Sequence, residues 1–197
     1  MWYFIKQSFM SFIYLIFTAV VALVIMTVQN FWLRLALSLL NLGLYLVIVC
    51  ATSYKEGELA LRVRISNDLE RKIIVRTGED RPLKLKEEFK EWKGFIFGLV
   101  ACAPLVIMLI IHAIIVNFID PTYLNVGAIS AFVYADFYSF ASLFFGELAS
   151  WHYYFSLIAL PILSVSTGIP YILGGRRVER QRNIIKEKKR QIYGDEN

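Results

Sequence analysis

Residues that could carry acid–base or metal chemistry are few in this sequence, and they are widely spaced. His, Asp and Glu are the side chains that most often ligate metal ions or move protons. The candidates in the middle of the chain are His112, Asp120, Asp136, Glu147 and His152. Their spacing matches no zinc pattern, and the sequence has no HExxH, GxSxG elbow, phosphate loop or dinucleotide fingerprint. We therefore predict a protein that is not an enzyme and holds no cofactor or metal ion.

Four long runs of the chain are apolar and contain no acidic or basic residue. Proton-driven transporters generally need an ionisable group inside the membrane. The nearest candidate is His112, in the third run, and we expect it to be hydrogen-bonded between helices rather than to relay protons.

Small and polar residues recur at helical spacing along three of these runs. In lipid, such faces mark contacts between helices, because close packing and interhelical hydrogen bonds replace the hydrophobic drive of water. The faces are Ser11, Tyr14 and Thr18; Ser38, Asn41 and Tyr45; and Gly98, Ala101 and Cys102. Asn41 lies near the middle of its run and must find a partner inside the bundle or on another subunit. We predict helix-packing or partner contacts for Ser38, Asn41 and Tyr45, and for Thr167 in the fourth run.

The elements that position these residues follow from the length of the apolar runs. Hydrophobic residues make up 57% of the chain, and a transmembrane helix needs about 20 apolar residues to cross the bilayer. We predict four transmembrane helices at about 9–28, 35–52, 95–117 and 153–173. They form a single all-α, polytopic transmembrane domain over residues 1–175, followed by a basic tail at 176–197.

The basic residues predict the orientation. Of the 21 Lys and Arg residues, eleven lie in a charged loop at 53–93 and eight lie in the tail. Basic residues near the ends of membrane helices remain on the cytoplasmic side. We predict a multi-pass protein of the cell membrane with a cytoplasmic loop and cytoplasmic N- and C-termini. The first half of the loop is predicted to continue the second helix, with an irregular or hairpin piece around residues 77–80.

Residues 118–151 are predicted to lie on the outer side, and their apolar, aromatic part at 122–147 is long enough for a fifth crossing. A fifth helix would place the basic tail outside. It would also leave Asp136 near the middle of the bilayer, where a carboxylate is costly. We therefore expect an outer interfacial or re-entrant segment.

The fourth run contains a Ser-, Gly- and Pro-rich stretch at 164–175, which includes Thr167 and Pro170. Either Pro170 is an ordinary membrane-helix proline whose freed carbonyl is satisfied by neighbours, or the helix is broken and exposes carbonyls to a substrate or ion. Gly174 and Gly175 are interpreted as a helix stop before the tail.

The tail carries eight basic and two acidic residues over 176–190. Val178, Ile185 and Ile192 recur every seven residues, which favours a helix with one apolar stripe. We predict docking on anionic lipid headgroups or on a protein partner, and no contact with nucleic acid. The docking residues are Arg176, Arg177, Arg180, Arg182, Lys186, Lys188, Lys189 and Arg190.

The stretches "YKEGELA", "WKGFIFGLVACAP" and "IPYILGGRR", together with the early helical hairpin, resemble those of uncharacterised small four-span integral membrane proteins of low-GC Gram-positive bacteria. This resemblance implies an architecture and no activity. Two functions remain open: a non-enzymatic accessory or scaffold subunit of a membrane protein complex, or a small transporter or channel component working as an oligomer. Their partners would be the lipid bilayer and other membrane subunits or further copies of the chain.

Overall fold

The computed structural model describes residues 2–79, 81–118, 126–145 and 150–193, and every regular element in these ranges is helical. The helices are α1 (Trp2–Met26), α2 (Phe31–Thr77), α3 (Glu91–Phe118), α4 (Val126–Val133), α5 (Ala135–Phe145) and α6 (Ala159–Tyr193), with 3-10 turns at Leu85–Glu87 and Ser150–Ile158. Of these, α1, α2, α3 and α6 contain stretches long and apolar enough to cross a membrane. The predicted all-α architecture with four candidate membrane helices is confirmed.

A tight turn joins α1 to α2, and Asn30 in this turn caps the N-terminus of α2. The Asn30 side chain accepts a hydrogen bond from the backbone N–H of Leu33 at 3.1 Å, which satisfies an amide that the first helical turn leaves open. α2 then runs for 47 residues and ends at Gly78, whose φ of 71° forms a left-handed cap. The prediction that the second helix continues into the charged region is confirmed, so residues 53–77 are helix rather than loop.

The chain returns along α2 through residues 81–90. The backbone N–H of Phe89 donates to the carbonyl of Ala60 at 3.1 Å. The Glu88 carboxylate accepts from the side chains of Asn67 and Arg71, at 2.7 and 2.6 Å. The returning segment is therefore fixed to the charged half of α2 by both backbone and side-chain bonds.

α6 is continuous over its whole length, which supports the interpretation of Pro170 as an ordinary membrane-helix proline and not the alternative of a broken helix. Pro170 has no N–H, and a proline leaves the carbonyl four residues earlier, here that of Ser166, without its helical partner. The thiol of Cys50 on α2 donates to this Ser166 carbonyl at 3.3 Å. A neighbouring helix thus satisfies the group that a broken helix would expose to a substrate.

Glycines bring α6 against its main neighbours, α2 and α3. A Cβ at Gly57 of α2 would collide with the carbonyl of Tyr171, and a Cβ at Gly174 of α6 would collide with the carbonyl of Tyr54. The predicted helix stop at Gly174 and Gly175 is wrong, because these residues lie inside α6 and permit close packing. We call this contact the glycine interface; it comprises Gly57, Gly94, Gly98, Gly168 and Gly174.

α4 and α5 form a bent pair, with 94° between them, which is the geometry of a broken span or of a re-entrant loop. α5 packs against α1 and α2. Tyr134, at the bend, and Phe137 of α5 are buried in the main apolar core with Leu15, Tyr45 and Leu105. The segment predicted to be interfacial or re-entrant therefore contributes to the interior of the bundle.

Candidate functional site

One face of α2 carries polar side chains that meet a polar face of α5. Residues three or four positions apart lie on the same side of a helix. The guanidinium of Arg34 donates to the hydroxyl of Ser142 at 2.9 Å, and the hydroxyls of Ser38 and Ser139 are 3.1 Å apart. We call this contact the polar seam; it comprises Arg34, Ser38, Asn41 and Tyr45 of α2, Asp136, Ser139 and Ser142 of α5, and Thr18 of α1.

Asp136 lies in the middle of the polar seam and is only 2% exposed. Its Oδ2 accepts from the hydroxyl of Thr18, and its Oδ1 accepts from the side-chain amide of Asn41. The same amide donates to the backbone carbonyl of Thr18 at 3.0 Å. Burial of a carboxylate is costly unless hydrogen bonds satisfy it, and here two other helices provide the donors.

The position of Asp136 corrects the expectation that this carboxylate lies away from the middle of the bilayer. Thr18 and Asn41 lie near the middle of the apolar stretches of α1 and α2, and Asp136 contacts both. The cost assigned to a charge in lipid applies to a side chain that faces the bilayer without partners, whereas this one faces the bundle interior. The interior therefore holds an ionisable residue, although none of the four long apolar runs contains an acidic or basic one.

Tyrosine hydroxyls continue the network toward α3. Tyr45 is fully buried, its hydroxyl donates to the carbonyl of Ser11 at 3.4 Å, and its ring packs edge-on against Phe137 with centroids 6.4 Å apart. The hydroxyl of Tyr134 donates to the carbonyl of Ala101 at 3.0 Å. The ring contact of Phe137 joins the α4–α5 pair to α2, and the hydrogen bond of Tyr134 joins it to α3.

His112 is buried and hydrogen-bonded between helices, as predicted. Its Nδ1 accepts from the backbone N–H of Gly127 at 3.2 Å, and its ring packs edge-on against Tyr153 with centroids 5.2 Å apart. Within the part of the chain that the structure describes, no three His, Cys, Asp or Glu side chains converge as metal ligands. Three of the predicted candidate side chains lie outside the described set: Asp120, Glu147 and His152.

Thr167 lies apart from the polar seam. It is buried, and its hydroxyl contacts two carbonyls of its own helix, those of Leu163 at 2.8 Å and Ser164 at 3.2 Å. A threonine in a helix satisfies its hydroxyl in this way without any other helix. The structure thus brings the three predicted residues of α2 together and leaves Thr167 out.

Beyond the apolar stretches, α2 and α6 continue beside each other as a charged stem. We define the stem as residues 54–77 and 176–193 with the returning segment 81–90. Arg177 pairs with Glu58 at 3.1 Å, and the ring of Phe89 stacks on Tyr171 with centroids 5.2 Å apart. All eight basic residues predicted to dock on lipid or a partner are exposed on this stem.

The sequence analysis did not identify Asp136 as the partner of Asn41. The information was present as a pattern, since Asp136, Ser139 and Ser142 recur at helical spacing in a segment that is otherwise apolar and aromatic. The polar face of α2 has the same character. Two such faces within one apolar chain indicate a shared interface, because polar side chains in lipid are unfavourable until they form hydrogen bonds with each other.

No protein-family model, no curated protein and no solved structure matches this sequence. The polar seam and the stem are therefore the features that bear on function.

Proposed function

We propose that this chain is a non-enzymatic accessory or scaffold subunit of a complex in the cell membrane. Its helical bundle anchors it, and its stem docks on other components. The observation that supports this proposal is the continuation of α2 and α6 past their apolar stretches as charged helices, which contact each other near the base of the stem through Glu58 and Arg177. Such a stem presents a rigid surface outside the bilayer, which anchoring alone does not require.

The end of the stem offers apolar as well as basic contacts. Ile184, Ile185 and Ile192 are each more than half exposed, whereas Val178, nearer the bundle, is buried. An exposed helix with apolar residues among basic ones suits a protein partner whose groove is apolar with an acidic rim. This surface is our proposed docking site for another subunit.

The base of the stem offers a second contact. A groove of about 460 Å³ there is lined by four basic side chains, Arg64, Lys90, Arg176 and Arg182, together with acidic ones. The groove lies where the apolar stretches end, which is the level of lipid headgroups in a bilayer. Four basic and three acidic side chains leave the groove with a net charge of +1, and a basic residue at that level attracts anionic headgroups by roughly 1 kcal/mol.

The scaffold proposal is tested on the full chain extracted from its native membrane in mild detergent. We expect it to migrate in a complex with another membrane protein, and substitution of Ile184, Ile185 and Ile192 by Ser to release it. The control is Val75→Ser, since Val75 is also exposed but lies on α2, the other helix of the stem. A wild-type chain that migrates alone, or a complex that survives the triple substitution, would overturn the proposal.

The proposed orientation places the stem and both termini in the cytoplasm, because the stem carries most of the basic residues. Single cysteines at Thr77 and Asn117, both exposed and at opposite ends of the bundle, distinguish the two orientations in a background without Cys50 and Cys102. An impermeant thiol reagent on intact cells should label Asn117→Cys only. Labelling of Thr77→Cys alone would reverse the orientation.

A second function, a small transporter or channel component working as an oligomer, is favoured by the buried carboxyl of Asp136. Ionisable residues inside a membrane bundle commonly mark ion or substrate paths. Purified protein in liposomes, offered simple cations and anions, should then conduct, and Asn41→Leu should abolish the flux while the protein stays folded. Flux with that dependence would favour transport over the scaffold.

A further inference from the structure

The hydroxyl of Thr18 contacts three oxygen atoms that can accept a hydrogen bond, but it has only one proton to donate. Its Oγ1 lies 3.1 Å from the carbonyl oxygens of both Tyr14 and Leu15, and it also contacts Oδ2 of Asp136. A hydroxyl donates one hydrogen bond and accepts up to two. Thr18 therefore donates either to the carboxyl or to its own helix, and in the second case the contact with Oδ2 requires a proton from Asp136.

We propose that Asp136 is a reversible proton-binding site in which the Thr18 hydroxyl reverses its hydrogen bond. In the ionised state, Thr18 donates to Oδ2 and Asn41 donates to Oδ1. When a hydronium ion transfers one proton to Oδ2 and is left as water, a single O–H bond forms on Oδ2, that O–H donates to Thr18, and Thr18 donates to Tyr14 or Leu15. Asn41 keeps its bond to Oδ1 in both states.

Both states leave the Thr18 hydroxyl, the Asn41 amide nitrogen and the two carboxyl oxygens of Asp136 with a partner, and this distinguishes the site from a carboxylate that is permanently paired. No ion pair of the described residues includes Asp136. The exchange between states needs only rotation of one hydroxyl, so the surrounding helices need not move. A buried group with two complete hydrogen-bond arrangements can gain or lose its proton without leaving an unsatisfied donor or acceptor.

The surroundings of Asp136 are mostly uncharged. The titratable and charged side chains in this part of the bundle include Tyr14 of α1, Arg34 and Tyr45 of α2, Cys102 and His112 of α3, Tyr134 and Tyr138 beside Asp136 in the chain, and Tyr153 and Tyr154 of the 3-10 turn. Phenols and thiols carry no charge near neutral pH. Arg34 lies two helical turns from Asn41 along α2 and donates to Ser142.

Infrared difference spectroscopy on the full chain in liposomes tests the proposal. Acidification of the wild type should produce carbonyl-stretch absorption from the protonated forms of its 16 Asp and Glu side chains. Asp136→Asn keeps the shape of the side chain, so subtraction of its acid-induced spectrum from that of the wild type should leave one carboxylic acid band, which belongs to Asp136. Protonation is measured here without a partner or flux, so the test is independent of both the scaffold role and transport. Identical acid-induced spectra of the wild type and Asp136→Asn would overturn the proposal.

The role of Thr18 has its own matched pair of variants. Thr18→Val removes the acceptor of the acid O–H, so the carbonyl band should move to higher wavenumber. Thr52→Val is the control, since the Thr52 hydroxyl contacts only carbonyls of its own helix, those of Ile48 at 3.0 Å and Val49 at 2.9 Å. A band that stays in place in Thr18→Val, or that moves equally in both variants, would show that Thr18 does not reverse its bond.

A measurement on the wild type alone tests the proposal even if the variants fail to fold. Hydrophobic carbodiimides react with protonated carboxyl groups in apolar surroundings: the acid proton passes to a carbodiimide nitrogen, and the carboxyl oxygen bonds to the central carbon. Mass spectrometry of the modified chain should place the adduct on Asp136, with faster modification at acidic than at alkaline pH. Modification that spares Asp136 at acidic pH would contradict the proposal independently of any substitution.

Discussion

The polar seam and the glycine interface hold the same bundle together by different means. In the seam, polar side chains of α1, α2 and α5 exchange hydrogen bonds. At the glycine interface, α6 approaches α2 and α3 so closely that several positions have no room for a Cβ. Lipid removes the hydrophobic drive between helices, so association depends on packing and hydrogen bonding, and this chain assigns each to a separate contact.

The difference lies in what each contact tolerates. A hydrogen-bonded contact tolerates a change of volume if donor and acceptor remain, because side chains adjust. A backbone-to-backbone contact tolerates no added volume, since a helix backbone cannot yield locally. We therefore expect the glycine interface to be more sensitive to substitution than the polar seam.

The largest effect is expected at Gly57. Gly57→Ala places a Cβ against the carbonyl of Tyr171 and forces α2 and α6 apart, which should destabilise the bundle by about 3 kcal/mol. Gly43→Ala is the control on the same helix, because a Cβ there meets nothing within 4 Å. It should be neutral or stabilising by up to about 1 kcal/mol. Unfolding in mixed micelles, followed by circular dichroism, measures the change in unfolding free energy for each variant. Equal losses of stability in Gly57→Ala and Gly43→Ala would contradict the expected sensitivity of the glycine interface.

A smaller effect is expected at Asn41. Asn41→Leu removes the bonds to Asp136 and to the Thr18 carbonyl, and interhelical hydrogen bonds in membranes contribute about 0.6 kcal/mol on average and up to about 1.7. Asn117→Leu should change little, since that exposed side chain donates to Ala113 of its own helix at 2.7 Å. The same unfolding assay compares them. If Asn41→Leu costs more than Gly57→Ala, the expected ranking of the contacts is reversed.

The smallest effect is expected where a weak hydrogen bond supports the packed helices. Cys50→Ala removes the thiol that donates to the Ser166 carbonyl, a loss of about 0.5 kcal/mol. Pro170→Ala supplies a backbone N–H for the same carbonyl, so Cys50→Ala should have no effect in that background. A double-mutant cycle measures this coupling. Additive effects would mean that Cys50 does not compensate for the proline.

The long helices were predictable because length and apolar composition alone determine them. The continuation of α2 followed from helical periodicity beyond Tyr54, and the buried His112 followed from its place in an apolar run. The position of Asp136 did not follow. From the sequence, the free-energy cost of burying Asp136 is that of an isolated carboxylate. The hydrogen-bond donors that offset this cost are Asn41 and Thr18, which lie 95 and 118 residues earlier in the chain.

The same limit applies to the fourth membrane helix, where the sequence leaves open whether Pro170 breaks the helix. The thiol that satisfies the freed carbonyl belongs to another helix, 116 residues earlier. Local sequence therefore identifies which backbone carbonyl the proline leaves free, and only the packing of α2 against α6 shows which group donates to it. The orientation of the bundle stays a prediction, tested by the cysteine labelling above.

The short turn between α1 and α2 has a consequence for biogenesis. Translation delivers both helices to the membrane long before Asp136, which follows Asn41 by 95 residues. The nascent hairpin therefore enters the bilayer with its polar face lacking α5. The amide of Asn41 already has an acceptor in the hairpin itself, the Thr18 carbonyl at 3.0 Å. This bond satisfies the amide until α5 is synthesised and packs against the hairpin. The first two helices thus form a template onto which the later segments assemble.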